Sequence, residues 1–576
     1  MPNISFSGAK KRKTRHSGYI FKMARREPGV TQLGLASSGL LSLVDELLLN
    51  IIDQIDAHET LYNLAATCMR FQGLIEPYIW RSLLVLKGDH ARRIAAALDS
   101  RADRIDYIQE LSIRYRDEYR DGIEELNHFM ALMSRLRHLT IETPCPNNTE
   151  WRQGMYFDGW SRIDYTNLLA AAVYPRLEMP LTLPALQSLT LHAHNAGAQK
   201  FVLGRAVAMF RHPTLRTINL SCLNFDGDIL SEDELAECRK STALQSLTLI
   251  ECNVNVHFLE YVLSLPKALK ELSIGERLFT FDECEPSKDP TTRTSSPVFL
   301  KALQQQADSL KRLVHVGGKV ANMPPLQKDP SGAAGAAKLR SLVNLEYLEL
   351  GLESHLYYYL RQDGGFPPAL KTLKLTNAAI SVNAEHNIEM SSDIVFRSLS
   401  SLVTEHLPYM LNAGFQLQLK YHDHSFFRLL AQTAASVTEQ SQLLNSLFFD
   451  RPTIYRIARI LQSYQASFVA TRETFSHGIA YIPPFMYGEE VPVEEVMYDS
   501  NRMWHFNGID YQMIDDRELR EEMRKRGELV RCVMCRHMGI EDCLNAGDGS
   551  RCVECRNRMF ECGYLRDEDG RIISAV

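Results

Sequence analysis

The feature that most restricts this chain is a spaced leucine pattern, L-x-x-L-x-L, that returns through its middle. Its clearest copies are "LRHLTI" from Leu136, "LQSLTL" from Leu186, "LRTINL" from Leu215 and "LQSLTL" from Leu244, then "LKELSI" from Leu269, "LEYLEL" from Leu345 and "LKTLKL" from Leu370. "IQELSI" from Ile108 reads as the first copy, and "LKRLVHV" from Leu310 as a damaged one. Successive copies begin 25 to 50 residues apart. The short intervals suit a strand-plus-helix repeat, and the long ones imply insertions. No single repeat of this kind buries its apolar face alone, so the copies are expected to stack, leucines inward, into a solenoid. The residues between the leucines then line a concave surface. Arg216, Asn219, Tyr347, Glu349, Lys371 and Lys374 are the candidate target contacts there. "FDECEPSKDPTTRTSSP" before Val298 and "GGKVANMPPLQKDPSGAAGAAKLRS" from Gly317 are rich in Pro, Gly, Ser and charge, and read as exposed loop insertions.

The chain has 576 residues, more than one hydrophobic core absorbs, so two or more domains or an elongated stack are expected. A formal charge of -6 gives no global attraction to nucleic acid. No apolar run is long enough to span a bilayer and the N-terminus lacks a signal-peptide core, so the expected location is the nucleus and/or cytoplasm, with no membrane partner. Residues 1–39 form a basic arm whose Lys10, Lys11, Arg12 and Lys13 match a nuclear-import signal. A solvated tail, or an upstream extension ahead of a start at Met23, is the competing reading. No nucleotide-binding glycine loop, serine nucleophile elbow or paired metalloprotease histidines occur, so no catalytic residue is expected.

Residues 40–88, "LLSLVDELLLNIIDQIDAHETLYNLAATCMRFQGLIEPYIWRSLLVLKG", predict three helices. Leu47, Leu48, Ile51, Ile52 and Ile55 recur at helical spacing behind Asp45 and Glu46, which favour the positive end of the helix dipole. A second run carries Leu61, Leu64, Ala65, Cys68 and Phe71, and Pro77 opens a third with Ile79 and Trp80. In order, Leu43, Glu46, Leu47, Ile51, Ile52, Leu61, Leu64, Cys68, Arg70, Phe71, Pro77, Trp80 and Leu83 resemble the F-box pattern. The family proline after the first leucine is Val44 here, and that proline helps to dock the F-box on its adaptor. The resemblance implies binding to the Skp-type adaptor of a cullin-RING ubiquitin ligase through Leu43, Val44, Leu47, Leu48, Ile51, Ile52, Leu61, Leu64, Phe71, Pro77 and Trp80.

An F-box followed by degenerate leucine-rich repeats resembles a large group of fungal F-box proteins. By that resemblance the chain is a non-catalytic substrate receptor that presents an unidentified protein target to the ligase. The expected fold is α/β: an F-box at 40–88, leucine-rich repeats over 89–384, a cap region over 385–530 and a small zinc module at 531–576.

Six of the 12 cysteines fall in that last segment. Cys532, Cys535, Cys552 and Cys555 have the spacing of one tetrahedral zinc site. With Cys543 and Cys562 added, the set resembles the fungal binuclear zinc cluster, one residue longer before the third cysteine. One or two zinc ions are therefore both open. The DNA-binding members of that family place basic residues between the second and third cysteines, whereas this chain has "RHMGIED". From Arg531 to Cys562 five Arg meet five Asp/Glu, so the module is poorly equipped for phosphate contact and DNA is not the expected partner. A transcription regulator built on this cluster, and a repeat scaffold independent of any ligase, are the alternative functions.

Overall fold

A computed structural model describes residues 39–115, 117–142, 162–174, 182–192, 203–221, 223–276, 290–294, 296–317, 339–351, 354–361, 366–376, 414–422, 464–474, 493–501, 503–506 and 511–514, with the single positions 402, 458, 460 and 461. The chain is mixed α/β and its sheet pairing is largely parallel. It divides into two compact units, one running to Leu223 and including Leu230–Leu244, the other holding Asn224–Ile229 and Gln245 onward. The basic arm with Lys10–Lys13 and the six clustered cysteines lie outside the described residues.

The first unit begins with three helices, α1 (Asp45–Ile52), α2 (His58–Ala65) and α3 (Met69–Arg81). Their boundaries differ from the periodicity reading. The run from Leu61 to Phe71 is broken after Ala65, where the Thr67 hydroxyl donates to the Leu64 carbonyl at 2.7 Å. Cys68 is extended, with φ -156°, and begins α3. Pro77 lies inside α3 instead of opening a helix. Its ring removes the bond to the Gly73 carbonyl, at a typical cost of about 3 kcal/mol. Burial of Ile75, Ile79 and Trp80 on either side offsets that loss, each apolar side chain being worth about 1.5–3 kcal/mol.

From Arg81 the chain enters β1 (Ser82–Val85), followed by β2 (Glu110–Arg114), β3 (His138–Glu142), β4 (Ser188–His192) and β5 (Thr217–Ser221). Each pairs in parallel with the next, and the register is regular: Leu83, Leu111, Leu139, Leu189 and Ile218 form one row. Val85, Ile113, Ile141, Leu191 and Leu220, two residues on, form a second. The leucine pattern creates these rows, because side chains two apart share a face. The residue before each strand extends the ladder. The amides of Gln109, Arg137, Gln187 and Arg216 each donate to the carbonyl at the matching point of the preceding strand, from 2.7 to 2.9 Å.

In the second unit the same geometry runs through β7 (Ser246–Val254), β8 (Glu271–Glu276), β9 (Arg312–Gly317), β10 (Tyr347–Leu350) and β11 (Thr372–Thr376). A two-residue strand, β6 (Asn224–Phe225), joins β7. Two further parallel strands, β12 (Gln416–His422) and β13 (Ser467–Thr474), follow in the region expected as a cap. Strand β14 (Val493–Asp499) then turns back antiparallel to β13, and β15 (Met503–Phe506) pairs with β16 (Tyr511–Ile514) as a separate antiparallel pair. The damaged copy is repaired by polar chemistry. His315 stands in the inward row between Ile274 and Leu350 and is 2% exposed. Its Nε2 bonds the Glu276 carboxylate at 2.6 Å and its Nδ1 meets the Ser354 hydroxyl at 2.7 Å. Thr294 also donates to Glu276.

Candidate functional site

The described residues singled out by the sequence lie on the helix trio of the first unit and on the polar strand face of each unit. α1 is apolar on more than one side, and only part of it faces inward. Leu48 and Ile52 are each 1% exposed, whereas Val44, Leu47 and Ile51 are 57%, 48% and 43% exposed. Spaced three and four residues apart, these last three form one stripe along the helix. Leu40 just upstream and Met69 at the start of α3 are exposed as well. An apolar cluster left in water on one element marks an interaction face more than a scatter of single residues does.

Arg70 fixes that element. Its guanidinium donates to the carbonyls of Leu41 at 2.5 Å and Leu43 at 2.6 Å, and to Asp45 Oδ1 at 2.7 and 3.0 Å. One side chain on α3 therefore holds the segment that leads into α1. The backbone at Val44 has φ -70° and ψ 156°, the range that proline adopts. Among the residues expected to meet an adaptor, Val44, Leu47 and Ile51 are exposed, and Leu43, Leu64 and Pro77 are half-buried. Leu48, Ile52, Leu61, Phe71 and Trp80 are buried. Glu76, which the sequence did not flag, anchors the far end of α3. Its buried carboxylate accepts from Arg101 at 2.5 Å and from Arg104 at 2.6 Å, while Arg104 lies 5.1 Å from the Trp80 ring centre.

The strands of each unit also present a polar face. In the first unit Asn219 sits on it and donates to the Thr190 hydroxyl at 3.2 Å; Arg216 lies one residue ahead of the ladder and is exposed. In the second unit Tyr347, Glu349 and Lys374 share this face. The Tyr347 hydroxyl donates to Glu349 at 2.7 Å, and the Arg312 guanidinium stacks 3.8 Å from the Tyr347 ring centre. Burial raises the Tyr347 phenol above its ordinary value, and Glu349 adds to the effect. Lys371, ahead of its strand like Arg216, pairs with Glu346 at 2.7 Å. Lys371, then Lys311, holds the Glu346 carboxyl below its ordinary value.

Sequence reasoning missed Arg312, Lys420 and Glu494 on this face. For Lys420 the signal was present: "FQLQLK" alternates apolar and polar over Phe415–Lys420 as a half-buried strand does. Among the described residues no group of three or more His, Cys, Asp or Glu is placed to hold a metal. No described helix is long and apolar enough to cross a membrane. No family model matches the chain, and no curated protein matches it in sequence.

Proposed function

We propose that the chain is an F-box substrate receptor of a Skp-cullin-RING ubiquitin ligase, with its leucine-repeat face as the target-binding surface. The observation that carries the reading is the exposed stripe Val44, Leu47 and Ile51 on a three-helix trio, at motif positions that resemble the adaptor-docking residues of F-boxes. Arg70, also a motif position, clamps the segment that displays the stripe. In this reading the trio clips to the adaptor by apolar burial. The strands supply rigid, regularly spaced polar side chains for a target, and ubiquitin transfer is the work of partner subunits. Co-purification of the full chain with a Skp-type adaptor is the experiment. A stable complex is expected, and a chain that elutes without the adaptor would overturn the proposal.

A further inference from the structure

The segment that leads into the stripe on α1 carries an exposed hydroxyl at its centre. Ser42 lies between Leu41 and Leu43, the two residues whose carbonyls accept from Arg70 at 2.5 and 2.6 Å. Its Oγ donates to the Gly39 carbonyl at 2.6 Å and so closes a four-residue turn, in which the Leu43 amide also donates to the Leu40 carbonyl at 3.3 Å. Val44, where the stripe begins, is two positions further on.

Asp45 and Glu46 stand three and four positions after Ser42, and both are exposed. A serine followed at that distance by carboxylates is a charge pattern that acid-directed protein kinases select. Ser231, followed by Glu232, Asp233 and Glu234, has a denser acidic run, but its hydroxyl is tied to the Glu234 carboxylate at 2.8 Å as part of a helix cap. The Ser42 hydroxyl is held only by a neutral carbonyl of its own turn.

A phosphate on Ser42 reverses the chemistry of this turn. The ester oxygen has no proton to give to the Gly39 carbonyl, and the group brings about 1.5 to 2 negative charges on strong acceptor oxygens. Acceptors then face a carbonyl where a donor stood, so the turn opens. The phosphate also competes for Arg70, because its bonds to a guanidinium are charge-assisted and roughly twice as strong as those to a neutral carbonyl. Arg70 is drawn off Leu41 and Leu43, while Asp45 and Glu46 repel the new charge. A hydrated anion is left at the edge of a face that binds by shedding water.

We infer that Ser42 is a phosphoacceptor and that its phosphate releases residues 41–45 and closes the stripe on α1 to the adaptor. The step is phosphoryl transfer from ATP. The bond between Ser42 Oγ and the γ-phosphorus forms, the bond from that phosphorus to the β,γ-bridging oxygen breaks, ADP leaves, and the hydroxyl proton passes to the catalytic base of the kinase. The inference deepens the receptor reading and rests on it for the identity of the partner that is shut out.

The test incubates the full chain with magnesium-ATP and an acid-directed serine kinase, and maps the modified positions by peptide mass spectrometry. Wild type and Ser42→Ala are treated side by side, so phosphate at Ser231 or elsewhere is common to both. Phosphate is expected at Ser42. In treated wild type, amide exchange at Leu47 and Leu48 should speed up by about tenfold. Its affinity for a purified Skp-type adaptor should fall by about tenfold or more, while treated Ser42→Ala keeps its untreated values. No phosphate at Ser42, unchanged exchange in the phosphorylated chain, or an equal loss of adaptor binding by treated Ser42→Ala would each overturn the inference. An adaptor that fails to bind even the untreated chain sinks the receptor reading instead, and the phosphate map and exchange rates still decide whether Ser42 governs the segment.

Discussion

Replacing Arg70 with methionine keeps the aliphatic stem and deletes the guanidinium that holds residues 41–45. The loss is two bonds to backbone carbonyls and one ion pair. Each carbonyl bond is worth about 1 kcal/mol net. The ion pair, with both partners more than a third exposed, adds well under about 1 kcal/mol. Together they come to about 2 kcal/mol, or about thirtyfold in the equilibrium between held and released segment. The amides of Leu47 and Leu48 both donate to the Val44 carbonyl, so they report on that opening. Hydrogen exchange should speed up there by about thirtyfold in Arg70→Met, while amides of β2 and β3 keep wild-type rates. Adaptor affinity should fall only by the fraction of molecules in which the segment is then released, because that fraction must be ordered on binding. Exchange at Leu47 and Leu48 within about threefold of wild type would refute the reasoning, whatever the adaptor does.

Three further outcomes follow from other parts of the chain. Burial pushes the His212 imidazole down from 6.5 to about 4, against the pull of the Leu183 carbonyl. The unfolded chain therefore takes up the proton first as pH falls. The contribution is whole above the unfolded value and is lost toward the folded one, about 2 kcal/mol between roughly pH 7 and pH 5. Urea midpoints should drop over that range in wild type and drop less in His212→Gln; parallel curves would contradict this. Val44→Pro should fold, since φ is already -70° and no hydrogen bond from the Val44 amide is found among the described residues; it should raise the thermal midpoint or leave it unchanged, and a marked drop would count against the backbone geometry. His315→Leu leaves Glu276 and Ser354 short of a partner and should destabilise by about 2 kcal/mol. Adding Glu276→Leu and Ser354→Ala should recover most of that loss, and additive losses would show the three side chains to be independent.

The inward rows were legible because burial writes a local, periodic signal. All nine copies of the leucine pattern, including the damaged one at Leu310, became parallel strands, paired in register within each unit. What sits opposite what on the polar face was less legible. Glu494 meets Lys374 across 120 residues of sequence, and nothing in the neighbourhood of either announces the other. The helix trio shows the same divide. Periodicity placed Leu47, Leu48, Ile51 and Ile52 on one helix, yet only packing decided that Leu48 and Ile52 face inward while Leu47 and Ile51 face water. Pro77 misled for a related reason: a proline costs a helix a fixed amount, and the apolar residues around it in α3 outweigh that cost. His315 was visible as a flaw in the pattern, but its partners Glu276 and Ser354 come from other segments and had to be seen in space.

If the stripe on α1 docks the adaptor, paired glutamate substitutions at Leu47 and Ile51 should abolish the complex. These side chains are exposed, so the variant should keep its denaturation midpoint, unlike one changed at buried Leu48 and Ile52. Binding of a purified Skp-type adaptor to the full chain is then measured by calorimetry for wild type and for Leu47→Glu with Ile51→Glu. Wild type is expected to form a complex that the folded double variant does not. Absence of a wild-type complex, or undiminished binding by the double variant, would contradict that docking role.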